Sequence, residues 1–219
     1  MSDTVAPALR RIRDRIEAAG GDPEAVRILP VTKGHPVNAV RAVLAAGLAD
    51  AGESYAQELL AKAEDLDADV RWHMIGRLQR NKVRQIAPFV HLWQTIDRLS
   101  LAGEVARRSP GARVLVQVNV TGAEQQGGCP PERVAALTEG CRDLGLEVRG
   151  LMALGPAGSP TGSRTAFGKV RDLADVLGLP ERSMGMSGDL EAAVAEGSTL
   201  VRIGTALFGP RAVGPAVGN

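Results

Sequence analysis

Short apolar runs alternating with amphipathic segments, eight of them between Arg27 and Gly204, constrain this chain more than any other feature. The runs fall near 27–33, 48–53, 70–76, 91–96, 114–120, 147–154, 183–187 and 200–204. Helical patterns over 37–46, 55–66, 77–87, 98–108, 131–144, 164–178 and 189–196 separate them,. Crossovers of that length join parallel strands right-handedly. Eight such units predict a closed (β/α)8 barrel, because a doubly wound sheet of that size is less economical in 219 residues,. Ahead of them Val5, Leu9, Ile12 and Ile16 recur at helical spacing, with Asp3 as candidate cap and Gly20-Gly21 as stop,. The expected class is therefore α/β, a TIM barrel with an extra N-terminal helix. No linker rich in Pro, Gly or Ser appears before 155–162, so one domain is expected over residues 1–219.

Composition excludes several functions. Aromatic residues make up 3% of the chain, so Val, Leu, Ile and Ala must build the interior and stacking platforms for nucleic acid are not expected,. A formal net charge of +1 provides no general field for a polyanion or an anionic membrane,. The densest basic stretch, Arg77-Leu-Gln-Arg80-Asn-Lys82-Val-Arg84, has helical spacing and reads as a solvated helix face,. Cys129 and Cys141 match no metal or redox spacing,. The first residues lack an apolar signal region and no later run approaches a membrane span, so the expected location is the cytoplasm,.

Three features carry chemistry. Lys33 ends the run Arg27-Ile-Leu-Pro-Val-Thr-Lys33. Position alone favours a lysine that snorkels to solvent, but burial would disfavour its charge and create a nucleophilic amine. Second, Met184-Gly-Met-Ser187-Gly-Asp189 and Arg202-Ile-Gly204-Thr205 follow strands seven and eight, where barrels of this type frequently bind phosphate,. The Ser187 and Thr205 hydroxyls can donate to an anion and Gly204 permits close approach, although Ser beside Gly commonly marks only a turn or cap. Third, period two in Leu200-Val-Arg-Ile-Gly204 turns Arg202 inward, where it needs an acceptor,. That acceptor is either a structural partner, with Glu53, Asp97 and Glu191 as candidates, or a ligand atom. In strand five the even-numbered valines face the helices, while Leu115, Gln117 and Asn119 face inward with polarity rising toward the carboxyl end,. Gln117 and Asn119 suit an internal polar network at least as well as ligand contact.

A strand-one lysine, a phosphate cradle after strands seven and eight and an inward arginine on strand eight together describe a pyridoxal 5′-phosphate site. The motifs Val31-Thr-Lys33-Gly-His-Pro36, Gly52-Glu-Ser-Tyr-Ala-Gln-Glu58, Trp72-His-Met-Ile-Gly-Arg-Leu-Gln-Arg-Asn-Lys82, Arg149-Gly-Leu-Met-Ala153 and Val201-Arg-Ile-Gly-Thr-Ala206 resemble the pyridoxal phosphate homeostasis proteins. These are single barrels similar to the N-terminal domain of alanine racemase. The resemblance implies that Lys33 forms a Schiff base with the cofactor aldehyde. It also implies that Ser187, Gly204 and Thr205 hold the phosphate and Arg202 faces the pyridine nitrogen. Met152, Met184 and Met186 sit in matching motifs as pocket candidates. Ser54 stands where the family usually has asparagine, and Ala51 replaces an aromatic residue. Ala123 and Gln126 replace a glutamate and a lysine, so charge contacts from that loop are not expected.

The resemblance further implies a monomer that buffers pyridoxal phosphate or delivers it to dependent apoenzymes. An arginine opposite the ring nitrogen leaves that nitrogen neutral and weakens the electron sink, which favours a carrier over a turnover enzyme. An amino-acid racemase or lyase is the alternative. It would need a second proton carrier, for which His73, His35 and Tyr55 are the candidates. A cofactor-free Schiff-base aldolase is a third reading.

Overall fold

The computed structural model describes residues 2–123 and 126–210. The strands are β1 (Arg27–Pro30), β2 (Asp50–Glu53), β3 (Arg71–Met74), β4 (Val90–Ile96), β5 (Arg113–Val118), β6 (Glu147–Ala153), β7 (Glu181–Ser183) and β8 (Leu200–Ile203). The helices are α1 (Ser2–Ala18), α2 (Val37–Ala45), α3 (Ala56–Asp65), α4 (Arg80–Ile86), α5 (Leu99–Arg108), α6 (Val134–Asp143), α7 (Pro160–Val176), α8 (Leu190–Ala195) and α9 (Thr205–Phe208). All ladders are parallel, in the order β1-β8-β7-β6-β5-β4-β3-β2. The ring closes where Val31 bridges Gly52 and the Thr32 amide donates to the Gly52 carbonyl at 3.0 Å. The expected (β/α)8 barrel with an added N-terminal helix is the observed one.

The period-two pattern sorts side chains as expected. Val114, Val116 and Val118 join the large cluster shared with the surrounding helices, whereas Leu115 packs inside the barrel with Leu92 and Met152. Val5, Leu9, Ile12 and Ile16 of α1 pack with Ile28, Val201, Ile203, Leu190 and Val194, covering the outside of β1 and β8. Each such side chain, fully buried, contributes about 1.5–3 kcal/mol.

One irregularity shapes the interior. Trp93 pairs with Val114 and Ile96 with Val116, so three steps along β4 match two along β5. This bulge keeps Trp93 and Ile96 on the helix side and turns both intervening residues, Gln94 and Thr95, inward,.

Several boundaries move. β1 ends at Pro30, so Lys33 lies beyond the strand. β7 occupies Glu181–Ser183 instead of 183–187, because Gly185 at φ 88° breaks the extended run,. α4 starts at Arg80 rather than 77. Leu78 and Val83, on either side of its first turn, are buried in the same cluster like a hydrophobic staple,. α7 begins at Pro160, with Ser159 as cap accepting from the Gly162 amide. α1 begins at Ser2, so Asp3 falls inside its first turn and does not precede it.

Candidate functional site

The carboxyl ends of β1 and β8 leave the sheet together. Leu29 is level with Arg202 and Pro30 with Ile203, and the Val31 amide donates to the Ile203 carbonyl at 2.8 Å. Lys33 then sits in a turn closed by the His35 amide on the Thr32 carbonyl at 3.0 Å, with Gly34 at φ 71°,. It is half-buried, and with Val31, His35, Gly204 and Thr205 it lines one cleft at the barrel mouth. Gly204 keeps this cleft narrow, since a Cβ there would lie 3.3 Å from the Val31 carbonyl oxygen. The His35 ring meets Phe208 of α9 at 5.1 Å between centroids, tying the turn to the segment after β8.

Ser187 approaches from β7. Its hydroxyl accepts from the Ala206 amide at 3.3 Å, so it faces the same short helix that carries Thr205. Arg15 of α1 holds the Ser187 carbonyl at 3.0 Å while pairing with Glu191. The Met186 amide donates to Asp189 at 2.6 Å, and the Met186 side chain is exposed. Lys33, Ser187, Gly204 and Thr205 thus share one end of the barrel. The other methionines divide: Met184 belongs to the helix-side core and Met152 to the barrel interior below the mouth. Ser54 is half-buried just after β2, its backbone so close to Gly76 that a Cβ there would lie 2.1 Å from the Ser54 carbonyl oxygen.

Arg202 is inward and only 3% exposed. Its Nη1 donates to the Ser183 carbonyl at 2.6 Å and the Ser183 hydroxyl at 2.8 Å, and its Nη2 to the Ala153 carbonyl at 2.7 Å. The carboxylates expected as partners are engaged elsewhere: Glu53 with Lys62, Asp97 with Arg98 and Glu191 with Arg15. Arg202 therefore takes neutral acceptors, and burial pulls its guanidinium down to about 10, opposed by Asp189,. His73, one candidate second proton carrier, is buried with both ring nitrogens engaged, by Asp50 and Gln94. Tyr55 is 56% exposed immediately before α3.

Behind the lysine turn lies an ionic cluster that strand and helix patterns did not suggest. Lys62 of α3 is buried and donates to the Thr32 carbonyl at 2.8 Å, Glu53 at 2.6 Å and Glu58 at 2.8 Å. Glu58 also accepts from the Gly34 amide at 2.6 Å. The cluster thus holds the backbone on both sides of Lys33. Glu53, wholly buried, accepts from the Thr32 hydroxyl at 2.6 Å, while its Oε2 has no partner. Desolvation pushes its carboxyl up to about 7 against the pull of Lys62, with Glu58 adding to the rise,. The i,i+4 spacing of Glu58 and Lys62 was a visible signal, but such a pair usually lies on a solvated helix face,.

The loop after β5 is an internal polar network. Gln117 bonds Thr95 and the Gln126 carbonyl, and Asn119 bonds the Ala123 carbonyl and the Gly122 amide. Arg80 and Arg84 of α4 are exposed, as a solvated helix face requires, and Arg77 is exposed ahead of the helix. Burial raises both cysteine thiols to about 11, which makes them poor nucleophiles,. Among the described residues no cluster could hold a metal ion, and no helix is long and apolar enough to cross a membrane.

The family model "Alanine racemase, N-terminal domain" matches residues 7–212. A pyridoxal phosphate homeostasis protein of Pseudomonas aeruginosa is 44% identical, over 98% of this chain and 97% of its own length. A crystal structure of an unknown protein from Bifidobacterium adolescentis superposes with a TM-score of 0.87 at 34% identity, covering 94% of this chain and 95% of that one. PipY of Synechococcus elongatus, solved with pyridoxal phosphate bound, gives 0.80 at 32% identity, covering 90% of this chain and 100% of that one.

Proposed function

Since this chain belongs to the alanine racemase N-terminal domain family and, within it, to the pyridoxal phosphate homeostasis proteins, we propose that it binds pyridoxal 5′-phosphate reversibly as a Schiff base on Lys33. The observation that carries the reading is the shared mouth. A half-buried amine, two hydroxyls and a glycine converge there, above a buried arginine with no carboxylate partner among the described residues. This donor set fits an anionic, aldehyde-bearing heterocycle. Ser187, Thr205 and the backbone at Gly204 would take the phosphate, with Arg202 facing the ring nitrogen and Ser54 and Met186 at the rim. The bound cofactor would supply the aldehyde that Lys33 captures.

The residues of the chain favour holding over turnover. Arg202 keeps its proton, so a ring nitrogen facing it would stay unprotonated. The His73 ring is committed to interior hydrogen bonds, which removes one candidate acid or base from the mouth,. The protein would buffer the cofactor, or deliver it to dependent apoenzymes, as a single-domain monomer of the cytoplasm. Protein mixed with pyridoxal phosphate and then freed of unbound cofactor should retain violet-region absorbance and, after borohydride reduction, carry a covalent adduct mapped to Lys33. Lys33→Ala should abolish both, and an unchanged adduct in that variant would overturn the assignment.

A further inference from the structure

An unbroken chain of side-chain hydrogen bonds crosses the barrel interior from β8 to β2. Arg202 Nη1 donates to Ser183 Oγ at 2.8 Å, and Ser183 Oγ donates to Gln94 Oε1 at 2.7 Å. The Gln94 amide nitrogen lies 2.8 Å from His73 Nδ1, and His73 Nε2 lies 3.0 Å from Asp50 Oδ1. Gln94 and Ser183 are wholly buried and His73 is 1% exposed, so bulk solvent does not reach these groups. The inward turn of Gln94 at the β4 bulge makes the crossing possible.

The proton positions follow from donor and acceptor capacity. Arg202 has no lone pair to offer, so the chain starts with its N–H. Ser183 accepts that bond and has one proton, which goes to the Gln94 oxygen. The Gln94 nitrogen can only donate, so His73 Nδ1 must accept and its ring proton must sit on Nε2, toward Asp50. Reversing the glutamine would strand the serine proton and turn the Nε2 lone pair against a carboxylate. Asp50 remains ionised. Burial opposes its charge, but His73 and Arg71 overcome that and hold its carboxyl at about 2. Arg71 shares this carboxylate at 2.6 and 3.0 Å, and His91 on β4 faces His73 at 6.0 Å between ring centroids.

We propose that Ser183, Gln94 and His73 are positioning residues for Arg202, locking its guanidinium in one orientation and linking it to Asp50 as a remote counter-charge. The ordered relay thereby sets how tightly the mouth holds its ligand. That last step rests on the reading of Arg202 as the group facing the cofactor's ring nitrogen. The relay itself does not.

Nitrogen-15 NMR of the full chain without cofactor tests the relay. His73 should carry its ring proton on Nε2, toward Asp50, with Nδ1 as acceptor,. Gln94→Glu places a carboxylate, which can only accept, against Nδ1 and should put a proton on that nitrogen,. A proton on Nδ1 in the wild-type protein, or an unchanged ring in Gln94→Glu, overturns the relay. Titration with pyridoxal phosphate tests its consequence: Ser183→Ala should weaken binding about tenfold while the Lys33 adduct still forms at saturation, and Ser183→Thr should restore affinity to within about twofold. Equal affinity in Ser183→Ala and wild type refutes the positioning role. Wild-type protein that fails to bind the cofactor refutes the functional reading instead, and the ring-proton result still decides the relay.

Discussion

Replacing Glu53 by Gln should change how stability depends on pH, with a sign opposite to that of most paired carboxylates. Glu53 is wholly buried, its Oε2 has no partner, and desolvation outweighs the Lys62 ammonium to push the carboxyl from 4.5 to about 7. Folded protein therefore holds this proton below about 7, whereas unfolded chain holds it only below 4.5. Between those values the folded state binds one proton more, so stability rises as pH falls. The contribution is complete below 4.5 and lost as pH rises through about 7,. At about 1.4 kcal/mol per pKa unit, the displacement corresponds to about 3 kcal/mol. Urea unfolding of wild type and Glu53→Gln at about pH 8 and about pH 5 reads it as a double difference. Asp50, held at about 2, titrates below this interval, and His91, whose desolvation lowers its pKa, is common to both proteins and cancels. Wild type should gain about 3 kcal/mol on the variant as pH falls. A flat difference, or a gain by the variant, would show that the Lys62 ion pair outweighs desolvation.

Two further substitutions separate packing from binding. Gly150→Ala places a Cβ 1.9 Å from the Glu181 carbonyl oxygen, so β6 and β7 must part; urea unfolding should show a loss of about 3 kcal/mol,. Arg202→Met removes a charge whose burial lowers its pKa from 12.5 to about 10, relieving about 3 kcal/mol of desolvation while leaving the Ala153 and Ser183 carbonyls unpaired,. Unliganded stability should change by no more than about 1 kcal/mol while cofactor affinity falls more than about tenfold, and a fold that collapses with unchanged affinity would contradict that assignment.

The barrel was legible because strand and helix periods alternate without interruption, and Arg202 was legible because Val201 and Ile203 fix its face. Strand seven was misplaced for a physical reason. Its paired residues, Glu181–Ser183, are polar, while the apolar Met184 and Met186 lie where the chain bends at Gly185. Met184 still takes the Leu200 carbonyl and Gly185 still accepts from the Arg202 amide, so pairing persists after extended geometry ends. The inward Gln94 was hidden because a bulge breaks strict alternation, and sequence alone does not locate bulges of this kind. Lys62 was hidden because burial of a helical lysine depends on which carboxylates a neighbouring strand supplies. Here Glu53 comes from the end of β2, nine residues earlier.

Glu53 and Arg202 are buried groups whose ionised form the fold penalises, and they stand on β2 and β8, the two neighbours of β1. Replacing such charges with apolar residues of similar volume is often neutral or stabilising, so packing alone does not account for them. Their connections do. The Glu53 cluster grips the Thr32 carbonyl and the Gly34 amide from outside the barrel, on either side of Lys33. Arg202 is fixed from inside, one register step below the point where β1 pairs end. A lysine with a flexible four-carbon stem is ill defined on its own, and ordering it costs up to about 2 kcal/mol of side-chain entropy. Fixing the backbone on both sides of Lys33 removes part of that freedom before any ligand arrives, while bonds from Ser183 and Ala153 hold Arg202 in one place. The cost of the two buried charges is then the cost of a preorganised mouth.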